Sequence, residues 1–115
     1  MRAGTKAFIQ GILFLFIFIA CHKNEPCQPA HPGTEEIVMQ NTVFVPAEKT
    51  VTKGATIKWT NKDPYAHTVT SSANKFDSGN LNEGQTFQFK FDSVGTFNYY
   101  CQYHLPDMKG KIIVK

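Results

Sequence analysis

The sequence predicts an all-β fold, an antiparallel sandwich or barrel of about six to eight short strands. Apolar and polar residues alternate along several short segments from Glu35 onward, and Gly, Pro, Asn and Asp turn signals separate these segments. No stretch keeps a helical period over ten residues. Residues 35–115 are enough to bury a small core, about 60–65% of the unfolded surface at this size.

The first predicted strands are short. Ile37 and Met39 alternate with polar neighbours, and Phe44 precedes Val45-Pro46, where the proline indicates an edge or a bend. A further short strand contains Val51 and ends at a turn over residues 53–54.

The central strands carry the clearest alternation. Ala55, Ile57 and Trp59 share one face of a strand, and residues 68–70 form a short β-branched strand. Residues 71–84 form a long polar loop, which we expect Phe76 and Leu81 to hold against the core.

Three aromatic residues, Phe87, Phe89 and Phe91, mark the clearest strand of the chain. In the next strand every second residue, Phe97, Tyr99 and Cys101, lies on one face. Residues 110–115 form the last strand, and the pattern leaves open whether Ile112 and Val114 or Ile113 faces the core.

The N-terminus has the features of an export signal. Arg2 and Lys6 precede an unbroken apolar run over residues 12–19, which is shorter than the ~20 residues that span a bilayer. The run ends at Ala20-Cys21, which resembles the lipobox of bacterial lipoproteins, although Phe18 stands where Leu is usual. This predicts a lipidated Cys21 that anchors the exported protein on the periplasmic side of a bacterial membrane. An uncleaved membrane-associated helix or a signal cut elsewhere are the alternatives.

The chain therefore divides into three predicted parts. Residues 1–20 are a lipoprotein signal peptide, residues 21–34 hold the lipidated cysteine and a Pro-rich linker, and residues 35–115 form the folded domain. The three cysteines, at 21, 27 and 101, do not suggest a disulfide framework, and Cys27 is interpreted as a free thiol or an intermolecular disulfide.

The net charge of the chain argues against nucleic acid as a partner. The full chain carries 12 Lys and Arg against 9 Asp and Glu, and without Arg2 and Lys6 the net charge falls from +3 to +1. Such a near-neutral, dispersed distribution gives no basic surface for nucleic acid.

Soft and borderline metal ligands are concentrated near the C-terminus. Cys101, His104 and Met108 lie within eight residues, and His67 follows a Pro-containing turn. Two His, one Cys and a weak axial Met form the ligand set of a blue-copper electron-transfer centre. Cys101 ends a strand with its sulfur directed inward, and a buried thiolate requires a nearby cation.

Three other functions compete with this interpretation. A cysteine hydrolase would need an exposed Cys101 paired with a histidine base, and the loop lacks an evident orienting carboxylate other than Asp107. Zinc accepts His and Cys but binds Met poorly. A copper storage or delivery protein is the main alternative, although such proteins favour exchangeable or Met-rich ligands.

Residues 35–115 resemble a cupredoxin of the plastocyanin, pseudoazurin and amicyanin group. The resemblance rests on these residues: Phe44 with Pro46, Val51 with Lys53-Gly54, Trp59-Thr60-Asn61, His67-Thr68-Val69, Gly95-Thr96-Phe97-Asn98-Tyr99, and Cys101, His104, Met108-Lys109-Gly110. It implies an eight-stranded Greek-key β-sandwich with one type 1 copper at one end, cycling between Cu(I) and Cu(II). The implied ligands are His67, Cys101, His104 and Met108.

The resemblance also implies a role. Such a protein is not an enzyme but a monomeric carrier of single electrons between redox proteins, such as a cytochrome, an oxidase or a reductase. In related cupredoxins the second histidine reaches the surface through an apolar patch, which here would include Leu105 and Tyr65.

Two positions depart from the family pattern. Three residues separate His104 from Met108, whereas plastocyanin-like loops have four and amicyanin-like loops have two. Thr68 follows the first histidine where Asn is frequent, which bears on one hydrogen bond between the two ligand loops.

Overall fold

A computed structural model describes residues 33–115 as a sandwich of two four-stranded β-sheets. The strands are β1 (Thr34–Gln40), β2 (Val43–Val45), β3 (Glu48–Val51), β4 (Thr56–Asn61), β5 (Thr70–Ser71), β6 (Thr86–Lys90), β7 (Gly95–Tyr100) and β8 (Lys109–Val114). The predicted all-β sandwich with eight strands is confirmed. The predicted signal peptide, Cys21 and Cys27 lie outside the described residues.

The first sheet has the order β2-β1-β4-β6 and the second the order β3-β8-β7-β5. β1 runs parallel to β4 and β3 runs parallel to β8, while the other neighbours are antiparallel. Four of the six strand pairs within residues 33–115 are antiparallel, as expected, and the two parallel pairs depart from that expectation. The chain crosses to the second sheet at β3 and returns at β4, which brings non-consecutive strands together as in a Greek key.

Aromatic side chains fill the space between the sheets. Trp59 is fully buried, with its ring 5.4 Å from that of Tyr99, 5.8 Å from Phe76 and 5.7 Å from Phe87. As predicted, Phe76 and Leu81 are buried and hold the long polar loop against this core.

The alternation in the last strand is now settled. Ile112 and Val114 are buried and Ile113 is not, so the first of the two open alternatives is correct. β2 is an edge strand, as Pro46 indicated. The strand predicted over residues 68–70 is wrong in its bounds: β5 is Thr70–Ser71, because the backbone of His67 pairs instead with Leu81.

Tyr99 packs across the start of β8. Its ring occupies the space that a Cβ at Gly110 would need, so only glycine fits opposite it. Burial raises the pKa of Tyr99 to about 12, and the nearby Trp59 indole opposes part of that rise. Within residues 33–115, neither the Tyr99 hydroxyl nor the Trp59 Nε1 has a hydrogen-bond partner.

Across the part of the chain that the structure describes, no helix has the length and apolar character needed to cross a membrane.

Candidate metal centre

The 101–108 loop joins β7 to β8 and brings its two ends together. The amide of Cys101 donates to the carbonyl of Met108 at 3.0 Å. The His104 carbonyl in turn accepts from the amides of Asp107 and Met108, at 3.1 and 3.0 Å. This tight turn places the Cys101 and His104 side chains at the same end of the sandwich.

His67 comes from a separate segment of the chain, between β4 and β5. Its backbone forms two hydrogen bonds with Leu81, of 3.0 and 2.8 Å, and its side chain is fully buried. The preceding residues are held by the Asn61 side chain, whose amide donates to the carbonyls of Tyr65 and Leu81, both at 2.8 Å.

Three of the four predicted ligands converge on one point. The ligand atoms of His67, Cys101 and His104 all lie within 4.8 Å of one another. The Cys101 Sγ is 3.7 Å from the Nδ1 of His67 and 3.5 Å from the Nδ1 of His104. Both imidazoles therefore present the same nitrogen to the sulfur, although they come from loops more than thirty residues apart.

These distances fit a single metal ion bound by all three atoms. With the bond lengths of zinc sites as a guide, about 2.3 Å to sulfur and 2.0–2.1 Å to nitrogen, tetrahedral to trigonal angles place the two ligand atoms roughly 3.5–3.8 Å apart. Cys101 and His67 are fully buried, so an ion here would be shielded from water. The positive charge of the ion would balance the negative charge of the buried thiolate.

Met108 is also fully buried and ends the same loop, four residues after His104. Its backbone is fixed by the hydrogen bonds to Cys101 and His104. That the Met108 sulfur acts as a weak axial ligand stays a prediction.

The imidazole of His67 has a buried partner on its far side. Its Nε2 lies 2.8 Å from the Oδ2 of Asp63, and both side chains are almost completely inaccessible to solvent. Burial alone would raise the pKa of Asp63, but the hydrogen bonds from His67, Thr42 and Asn41 outweigh it and lower the pKa below 3.8. The carboxylate is therefore ionised at neutral pH, and the Nε2–H of His67 donates to it.

Thr68 forms the hydrogen bond between the two ligand loops, although Asn is frequent at this position in related proteins. Its Oγ1 accepts a hydrogen bond from the amide of Gln102 at 2.9 Å, and its own amide donates to the Cys101 Sγ at 3.4 Å. A threonine thus links the two ligand loops where Asn is frequent in the family.

The outer edge of the site is apolar. His104 is partly exposed, while Tyr65, Tyr103 and Leu105 are each about half exposed around this end of the sandwich. The Tyr65 ring lies 6.2 Å from that of His104 and the His67 ring 4.9 Å from it. The expectation that both ligand loops lie at one end, beside apolar side chains, is confirmed.

A family model described as a cupredoxin-like domain matches residues 11–114 of the chain. The chain belongs to the cupredoxin family. It is 30% identical over 125 residues to amicyanin-alpha of Methylorubrum extorquens, an alignment that covers 100% of both proteins. It is also 31% identical over 85 residues to plastocyanin of Scenedesmus fuscus, covering 64% of this chain and 87% of that protein.

Solved structures agree with this fold. A purple cupredoxin from Nitrosopumilus maritimus superimposes with a TM-score of 0.63 and 27% identity, over 70% of this chain and 99% of the other. The oxidised state of an amicyanin variant superimposes with a TM-score of 0.67 and 25% identity, over 72% of this chain and 83% of the other. The amicyanin and plastocyanin relatives support a blue copper electron-transfer protein with one type 1 copper, and the His67, Cys101 and His104 group can hold one.

The sequence pattern predicts only a turn at Asp63-Pro64 and does not indicate a contact between Asp63 and His67. The available signal was its position four residues before His67, beside a proline that turns the chain back. That spacing alone does not show a contact, because residues four apart meet predictably only on a helix.

Proposed function

We propose that this cupredoxin carries single electrons between larger redox proteins, with His67, Cys101 and His104 as strong copper ligands and Met108 as the weak axial one. When bound, the copper accepts one electron as Cu(II) and gives it up as Cu(I). The observation that carries the proposal is the placement of both histidine Nδ1 atoms within 3.7 Å of one buried thiol. A rigid β-sandwich would hold these residues in nearly the same positions for both charge states, and the reorganisation on electron transfer would then be small.

The partly exposed His104 is the route by which the electron leaves. Its imidazole connects the buried ligand group to the surface. The Tyr65 ring lies 6.2 Å from it, and Tyr65, Tyr103 and Leu105, which belong to the two ligand loops, are each about half exposed. An apolar patch of this kind is suited to a docking interface. A short-lived complex of under about 1,200 Å² is what an electron carrier needs.

Burial favours electron transfer over copper storage or delivery. Cys101, His67 and Met108 are each 0% exposed, so a metal on these residues would exchange slowly with other copper-binding proteins. A delivery site would instead keep exchangeable ligands at the surface.

The location proposed for the protein rests on the sequence. The apolar run over residues 12–19 and the Ala20-Cys21 junction support export and lipidation of Cys21, and the Pro-rich residues up to 34 would hold a monomeric domain away from the membrane. Its partners would then be a cytochrome, an oxidase or a reductase on the periplasmic side.

The visible spectrum of the Cu(II)-loaded protein tests the electron-carrier assignment. We expect a strong thiolate-to-copper band that Cys101→Ser abolishes and Cys27→Ser leaves unchanged. Loss of the band in the Cys27 variant, or its absence from the wild type, would contradict the assignment.

Detergent partitioning tests the lipid anchor separately. The wild type should enter the detergent phase, because two or more acyl chains anchor a protein stably, and Cys21→Ala should stay in the aqueous phase with an unchanged spectrum. A wild-type protein already in the aqueous phase would refute lipidation without affecting the copper assignment.

A further inference from the structure

Asp63 is a buried carboxylate that connects two separate parts of the fold. It is 5% exposed, and its Oδ1 accepts a hydrogen bond from the amide of Asn41 at 2.8 Å. Its Oδ2 accepts one from the amide of Thr42 at 2.9 Å and one from the Nε2 of His67 at 2.8 Å. One side chain thus contacts both the β1–β2 turn and a ligand of the metal centre.

The contact with His67 determines which ring nitrogen carries the proton. A carboxylate only accepts, so the Nε2 that faces it must carry hydrogen, and the neutral ring then has its lone pair on Nδ1. That Nδ1 is the atom directed at the Cys101 Sγ. The hydrogen bond therefore leaves the correct atom free for a metal and prevents the ring from rotating.

The contact with the turn stabilises a backbone conformation that costs energy. Asn41 and Thr42 have φ values of 58° and 62°, and the left-handed region is unfavourable for a β-branched residue such as Thr. Two hydrogen bonds from these amides to one carboxylate oppose this cost. The Asp63 backbone is in turn held, because its amide donates to the Asn61 Oδ1 at 2.8 Å.

We propose that Asp63 is a positioning residue for the copper centre, fixing the His67 imidazole in the Nε2–H tautomer with Nδ1 toward Cys101 and coupling that ligand to the β1–β2 turn. This inference rests on the proposed function, since it assumes that His67 binds the metal through Nδ1. A negative charge held 2.8 Å behind a ligand also favours the more positive, oxidised centre.

A purely structural role is the competing explanation, in which Asp63 only stabilises the turn. Thr42→Gly separates the two roles, because glycine adopts positive φ without strain and the turn then needs the carboxylate less. Asp63→Ala is therefore made in both the wild-type and the Thr42→Gly backgrounds, and thermal melts of the metal-free proteins show which variants are folded.

The first readout needs no metal. In the folded apoprotein, nitrogen chemical shifts of His67 should show the Nε2–H tautomer, and this tautomer should lose its dominance when Asp63→Ala is added to Thr42→Gly. The second readout is Cu(I) affinity, measured by competition with a chromogenic chelator. We expect a loss of about 10- to 100-fold, which is usual when the hydrogen-bond partner of a metal-bound histidine is removed.

Asp63→Asn and Asp107→Asn form a matched pair. Both remove one negative charge near the site, but Asp107 is exposed on the 101–108 loop, and among the described residues its carboxylate has no hydrogen bond to His67. Asp63→Asn should shift the reduction potential upward, and Asp107→Asn should shift it less.

The proposal is overturned if Asp63→Ala in the Thr42→Gly background keeps both the tautomer and the Cu(I) affinity of Thr42→Gly alone. It is also overturned if the two Asn variants shift the potential equally. A wild type without a thiolate-to-copper band would instead refute the proposed function. The tautomer measurement on the apoprotein would still decide whether Asp63 orients His67.

Discussion

The two loops that supply the candidate ligands are held in opposite ways. The 61–67 loop is fixed by buried side chains, since Asn61 and Asp63 together form hydrogen bonds to its own backbone, to neighbouring segments and to His67. The 101–108 loop is closed by backbone hydrogen bonds, and it leaves Leu105 exposed and His104 partly exposed. One histidine is therefore fixed in the interior, while the other lies where a partner can reach it.

This difference suits an electron carrier. A rigid ligand set limits the reorganisation on electron transfer, and a surface histidine shortens the distance to a partner. The same contrast predicts that substitutions in the two loops have different consequences.

The largest effect is expected from His67→Gly and His104→Gly. Both should abolish the thiolate-to-copper band, but added imidazole should restore it only in His104→Gly, because His104 is partly exposed and His67 is 0% exposed. Absorption spectra during an imidazole titration measure this directly. Equal rescue of both variants by imidazole would contradict the difference in accessibility between His67 and His104.

Leu105→Glu tests whether the 101–108 loop forms the docking surface. It should slow electron self-exchange between oxidised and reduced protein by about tenfold, equivalent to about 1.4 kcal/mol of docking energy. The thermal melt should not change, since Leu105 is 53% exposed.

Val94→Glu is the matched control for this substitution. Val94 is also an exposed apolar residue, but it precedes β7, whereas the metal centre follows that strand. Equal slowing by both variants would point to net charge alone and not to docking at Leu105.

Met108→Gln tests whether the 101–108 loop also supplies the axial ligand. Copper should stay bound and the reduction potential should fall, because a harder oxygen donor favours Cu(II). Each tenfold gain in relative Cu(II) affinity lowers the potential by about 59 mV in voltammetry. Met108→Leu should raise it, and an unchanged potential in both would place the Met108 sulfur outside the centre.

Tyr99→Phe tests the aromatic core, at a residue two positions before Cys101. Because the folded pKa of about 12 exceeds the ordinary value of 10, Tyr99 favours the folded state below pH 10 and loses this contribution as the pH rises toward 12. The loss is on the order of 2–3 kcal/mol. Urea melts of the apoprotein should show a smaller alkaline loss in Tyr99→Phe than in the exposed Tyr103→Phe, with an unchanged copper spectrum.

Much of this arrangement could be predicted from sequence because it depends on local pattern. Alternation placed Ile57, Trp59 and Tyr99 in the core, and the spacing of Cys101 and His104 indicated a metal loop. What could not be predicted depends on contacts between distant segments. The parallel pairing of β1 with β4 follows from the crossover between sheets, and the contact of Asp63 with the β1–β2 turn joins residues 21 and 22 apart in the chain.

The smallest effect is expected from Thr68→Val, which removes the hydroxyl that connects the two loops. The valine keeps the shape and the amide that donates to the Cys101 Sγ, but the Gln102 amide loses its acceptor at 2.9 Å. An unpaired amide costs about 1–3 kcal/mol when it is buried, and Gln102 is exposed, so we expect about 1 kcal/mol in a urea melt of the apoprotein. Thr96→Val, at an exposed position of β7, serves as the control and should change stability by less. Thr68→Asn should recover the lost stability, since its side-chain oxygen can accept from the same amide. If Thr68→Val is as stable as the wild type, each loop is held by its own hydrogen bonds, and the contact between the loops through Thr68 does not contribute to stability.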